Sequence, residues 1–243
     1  MLFTEPTFLF LFLPILIALY FAVSSTSARN MLLVVASVIF YAKGGGSFTW
    51  LILLSIVFNY WMAIAVSAAR AQNERRARQL LAVAVGVDLV VLAVFKYANF
   101  LTDNLNAFLK LAGASTLTAP HVVLPIGISF FTFHAISYVV DVYRKDAVAQ
   151  KSPVHAALYL LLFPQLIAGP IIRYREIADQ LGRRITNFDG FAEGVRRFII
   201  GLGKKMLIAN TVAVPADRIF SMNGGEISAA HAWLGITCYT LQI

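Results

Sequence analysis

Long apolar runs separated by short charged stretches set the pattern of this chain. The runs are Phe8–Val23, Met31–Ala42, Trp50–Ala69, Leu80–Phe95 and Leu124–Val140. A bilayer crossing needs about 20 apolar residues, with about 17 as the normal minimum. The pattern therefore predicts an all-α fold, a polytopic transmembrane helical bundle, organised as a single transmembrane domain over residues 1–243. Met31–Ala42 is short and is expected to extend into its polar flanks. Gly44–Gly46 marks a tight turn, because glycine takes backbone conformations closed to other residues. The last apolar run, Trp233–Ile243, is too short to cross, so the chain is expected to end inside its last helix.

Two segments break the pattern. His155–Ile172 is apolar but interrupted by Pro164, Gly169 and Pro170. Proline removes a helical hydrogen bond and clashes with the preceding turn, so this segment is expected to be a broken or re-entrant helix. Non-helical backbone at membrane depth survives only where it is buried in protein or lines water. Asn187–Ile219 alternates Arg196, Arg197, Lys204 and Lys205 with short apolar runs. That suits an amphipathic segment in the headgroup layer.

Composition sharpens the class. The chain is 59% hydrophobic and 13% charged, about half the charge of an ordinary soluble domain. Its net charge of +8 reads as cytoplasmic loop charge, not as a nucleic-acid surface. With Met1 outside, the loops through Lys151 place eight Lys and Arg inside and three outside. The inside set is Arg29, Arg70, Arg75, Arg76, Arg78, Arg144, Lys145 and Lys151; the outside set is Lys43, Lys96 and Lys110. A full crossing by His155–Ile172 would put the nine basic residues from Arg173 to Arg218 outside and reverse that bias. Phe8–Val23 is followed by small residues but preceded by Glu5 and no Lys or Arg. It is expected to stay as a span rather than be removed as a signal peptide.

Chemistry concentrates in LPIGISFFTFHAISYVVDVYR, Leu124–Arg144. A span that only anchors needs no polar groups, and polar groups at membrane depth mark function by default. This one carries Ser129, Thr132, His134, Ser137, Tyr138 and Asp141. At about 100° per residue, His134, Ser137, Tyr138 and Asp141 share a face that Arg144 continues. Asp141 and Arg144 are spaced to pair across one turn. Gln165, Arg173 and Arg175 lie in or just after the broken segment. Guanidinium forks suit phosphate, so Arg173 and Arg175 read either as contacts to a phosphate-bearing donor or as membrane-edge anchors. Asp88 sits mid-span in AVAVGVDLVVLAVF, where a hydrogen bond to another helix is its simplest use. His121, His155 and His231 sit at span ends. Cys238 is the lone cysteine, so no disulfide forms within the chain. No group of residues has metal-ligand spacing and no bound cofactor is expected.

Taken in order, FLFLFLPILIALYF, RNMLLVVASVIFYA, VFNYW, FKYANF, LPIGISFFTF, SYVVDVYR, FPQLIAGPIIR, FAEGVRRF and GKKMLIA resemble the membrane-bound O-acyltransferase (MBOAT) family, and most closely its bacterial alginate O-acetyltransferase branch. The resemblance implies a multi-pass protein of the bacterial inner membrane. It implies transfer of an acyl group, in this branch acetyl, to hydroxyls of an exported polysaccharide, with the donor left between acetyl-CoA and an acyl-carrier thioester. The implied partners are the bilayer, the polysaccharide acceptor, and periplasmic or membrane proteins of an O-acetylation complex. The family's catalytic histidine lies in a segment beyond Ile243. The chain is thus expected to be the N-terminal half of such an enzyme, and inactive alone. His134 stands as the one alternative base within the chain, set against a cavity-lining role. Ser129, His134, Ser137, Tyr138, Asp141, Arg144, Gln165, Arg173 and Arg175 are the expected lining of a substrate tunnel. Two other readings stay open: a transporter or exporter of a small substrate, since broken helices mark that class, and a non-catalytic membrane scaffold.

Overall fold

The first apolar run folds as a π-helical turn, Phe8–Phe12, leading into α1 (Leu13–Ala22). Pro14 lies in the first turn of α1, where the π-helical turn passes into it. In the computed structural model, residues 3–118, 120–166, 169, 172–182, 184, 186–222 and 227–243 are described. The second run does extend into its flanks: α2 covers Thr26–Gly45, 20 residues. Gly46, at φ 54°, then turns the chain through Gly46–Phe48 into α3 (Thr49–Gln72). A side chain is strained at that φ. Asn73 alone separates α3 from α4 (Glu74–Leu111), and its side chain caps α4 by accepting from the Arg76 amide at 3.1 Å. At 38 residues, α4 is far longer than one crossing and runs past the predicted end at Phe95. α5 spans Ile128–Arg144. It starts four residues later than the apolar run because Gly127, at φ 75°, stands outside the helix, as does Pro125.

After α5 come α6 (Pro153–Leu161), α7 (Phe163–Leu166) and α8 (Tyr174–Gly182). The chain continues as α9 (Phe188–Gly203), a π-helical stretch Lys204–Ala209, α10 (Asn210–Phe220) and α11 (Ala229–Gln242). No strand occurs among the described residues. Among the described residues, three helical stretches are long and apolar enough to cross a membrane: Thr26–Gln72, Glu74–Leu111 and Phe188–Phe220. The first is divided at Gly46 into two helices. Phe8–Ala22 is apolar but shorter than these. The chain is a multi-pass membrane protein.

The chain divides into two compact units. The first takes residues 10–184 and the second residues 3–9 and 185–243. In the first, α3 packs on α4 and α5, and α6 packs on α2 and α3. Ala63 and Ala84 are fully buried; small residues let membrane helices approach closely. The core also encloses Asn30, Ser37, Asn59, Asp88, Thr132, His134, Asp141 and Gln165. In the second unit, α10 packs on α11. A Cβ at Gly235 would lie 2.9 Å from Ile219 Cγ2, so the glycine permits that approach. Along Phe188–Ala209 the residues are exposed or half-buried.

Candidate functional site

The site lies in the first unit, where the polar face of α5 meets the broken segment. Ser152 caps α6 by accepting from the His155 amide, and Pro153 fills its first turn. At nine residues and about 1.5 Å per residue, α6 is too short to cross. Leu162 then leaves helical geometry (ψ 115°), and α7 lasts one turn. Gly169 has φ 138°; its neighbour Pro170, the other expected breaker, lies outside the described residues. The chain then returns on itself. The Tyr159 hydroxyl donates to the Ile172 carbonyl at 3.0 Å. Beyond it, the Tyr174 hydroxyl donates to Val148 O at 3.3 Å and Arg175 lies 3.7 Å from Asp146. The residues after the break thus touch the loop before it.

Three buried tyrosines stack where these elements meet. Ring centroids are 4.7 Å apart for Tyr138 and Tyr174, 5.2 Å for Tyr159 and Tyr174, and 6.2 Å for Tyr138 and Tyr159. Their polar tips are all used. The Tyr138 oxygen accepts from the Gln150 amide at 3.0 Å, and Ser137 lies within hydrogen-bonding reach of Tyr159. Tyr174, outside the spanning segments, has its phenol pushed above the ordinary tyrosine value by burial. Gln165 is buried and donates to Tyr159 O at 2.6 Å. His134 is fully buried, its ring 5.8 Å from that of Tyr159. Both His134 ring nitrogens and Asp141 Oδ2 are buried without a hydrogen-bond partner among the described residues. Such atoms in a native interior call for an explanation. Here they are three unused polar positions on one helix, beside a tyrosine cluster.

The expected tunnel face is thus only partly assembled. His134, Tyr138, Asp141 and Gln165 are buried together with Tyr159 and Tyr174, while Ser129 and Ser137 are half-buried. Arg144 is exposed, and no ion pair joins it to Asp141 among the described residues, which corrects the expected pairing. Arg173 and Arg175 are exposed. Arg175 borders a cavity of about 490 Å³ that Gln150, Lys151, Tyr174 and Asp179 also line. Tyr159 and Tyr174, which hold the site together, escaped the sequence reading because they sit on separate elements with no shared period. Asp88 does bond to another helix, accepting from Asn59 Nδ2 on α3 at 3.0 Å. No group of histidines, cysteines and carboxylates able to hold a metal occurs among the described residues.

The chain is 44% identical over its whole length to the probable alginate O-acetylase of Pseudomonas putida, covering 49% of that protein. It is 43% identical to the Pseudomonas aeruginosa protein of the same description, covering 46% of it. Along its whole length the chain is similar to proteins described as alginate O-acetylases. A more distant relative, the peptidoglycan O-acetyltransferase of Helicobacter pylori, is 32% identical and is covered over 51% of its length. No protein-family profile matches the chain. The chain spans about half the length of the curated relatives it matches. The MBOAT resemblance read from the ordered motifs is borne out.

Proposed function

We propose that this chain is part of a membrane O-acyltransferase that carries an acetyl group to hydroxyls of an exported polysaccharide such as alginate. The observation that carries the reading is similarity along the whole chain to proteins described as O-acetylases. The buried polar face of α5 supports it, since an anchor has no need of one. A hydroxyl acceptor needs a general base to take its proton in the transition state, and the developing oxyanion needs hydrogen-bond donors. His134 lines the polar interior in this reading, and the base comes from the remaining length of the enzyme. Acetyl-CoA and acyl-carrier thioesters share a phosphate-bearing arm. Arg173, exposed and without an ion pair among the described residues, is the freer of the two arginines to meet it, because Arg175 already faces Asp146. Periplasmic or membrane partner proteins complete the proposed complex.

The test compares the 243-residue chain with a form extended to family length, each in a host exporting an unacetylated polysaccharide. Acetyl esters are expected only with the extended form. The reading is overturned if the short form acetylates and His134→Ala abolishes it, which would make His134 the base. We further propose an inner-membrane location with Met1 outside, supported by the eight-to-three loop charge. Single cysteines at Gln72 and Ser115 check it: an impermeant reagent on intact cells should reach position 115 and not position 72.

A further inference from the structure

Among the polar atoms buried in the first unit without a partner are Asn59 Oδ1 and Asp88 Oδ2. They belong to two side chains already in contact. Asn59 Nδ2 donates to Asp88 Oδ1 at 3.0 Å and to the Ser55 carbonyl at 3.0 Å, so both amide hydrogens are used. Asn59 is fully buried and Asp88 is 5% exposed. Among the described residues no cation is bonded to the pair. Asp88 borders a small cavity of about 160 Å³ whose other lining residues, among them Ser55 on α3, Val91 on α4 and Thr132 on α5, are uncharged. An isolated carboxylate in such surroundings takes up a proton rather than stay charged. Placed on Oδ2, that proton gives Asp88 a donor, and the side chain already bonded to it carries an unused acceptor, Asn59 Oδ1.

We infer that Asp88 is a permanent proton-binding site, paired with Asn59 as a cyclic carboxylic acid–amide unit that joins α3 to α4 without net charge. One proton accounts for both unpartnered oxygens. A carboxylate receiving a hydrogen bond from a guest in the cavity would account for Asp88 Oδ2 alone. The unit also explains why an acid is tolerated mid-span with no basic neighbour. It fixes the register of α3 against α4 on the side where both meet α5.

The test is infrared difference spectroscopy of the chain in lipid nanodiscs at neutral pH, wild type against Asp88→Asn, with and without ¹³C-labelled aspartate. The expected result is loss of a protonated-carboxyl C=O band that shifts with the label. A difference confined to carboxylate stretches overturns the proposal. Thermal unfolding adds a second readout. Asparagine replaces the acid O–H with an amide N–H and keeps the cycle, so the melting temperature should stay within about 2 °C; Asp88→Leu strands the Asn59 amide and should lower it by about 2–10 °C. Equal losses in the two variants also overturn it. If Asp88→Asn fails to fold, Asn59→Leu replaces it: the labelled C=O band should persist and move to higher frequency, and its absence is again decisive against the proposal.

Discussion

The two compact units handle polar residues in opposite ways. In residues 10–184 several polar side chains turn inward and donate to backbone carbonyls: Asn30 to Leu181 O at 2.8 Å, Tyr41 to Ile126 O at 2.9 Å and Tyr159 to Ile172 O at 3.0 Å. In residues 185–243 they lie on the surface and pair within one turn, as Glu193 does with Arg196 and Arg197, both at 2.7 Å. Burying a hydrogen-bonding group without a partner is expensive, whereas a surface group has water as an alternative. Substitutions in the first unit should therefore be felt in stability, and similar ones in the second should pass almost unnoticed.

The largest effect is expected at Tyr159. Truncation to alanine empties a fully buried site against three aromatic rings and should cost about 3–5 kcal/mol. Tyr159→Phe keeps the stack and loses the hydroxyl's contacts with Ile172 and Ser137, about 1–2 kcal/mol. Denaturation in detergent measures both, and equal losses would show that the hydroxyl, not the stack, holds the broken segment. At the other extreme, Glu193→Gln removes two solvent-exposed ion pairs and should change stability by no more than about 1 kcal/mol. A loss as large as that of Tyr159→Ala would show that the surface of α9 is as tightly held as the first unit and would erase the contrast.

Much of the first unit was legible because its helices follow apolar length, and its broken segment because proline and glycine announce themselves locally. The end of α4 was not. Lys96 reads as the edge of a span, yet the helix continues through Asp103 and Lys110 to Leu111, since nothing in Lys96–Leu111 breaks a helix outside the apolar layer. The polar face of α5 was legible as a face, but its inward and outward members were not. Asp141 is 3% exposed and Arg144 is on the surface; packing against α6 and α8, which no local period reports, sets that division. The same holds for Asn59, unremarkable in VFNYW until α4 brings Asp88 beside it.

The return of the chain between Tyr159 and Ile172 has a consequence in the arithmetic of membrane insertion. Every full crossing moves the next stretch of chain to the opposite compartment; a segment that enters and comes back changes nothing. Reading His155–Ile172 as a segment that enters and comes back therefore predicts that Arg173 and Arg175 lie on the same side as the loop that ends at Ser152, and that a reporter fused after Ser152 and one fused after Gly182 register the same parity, although an apolar segment lies between them.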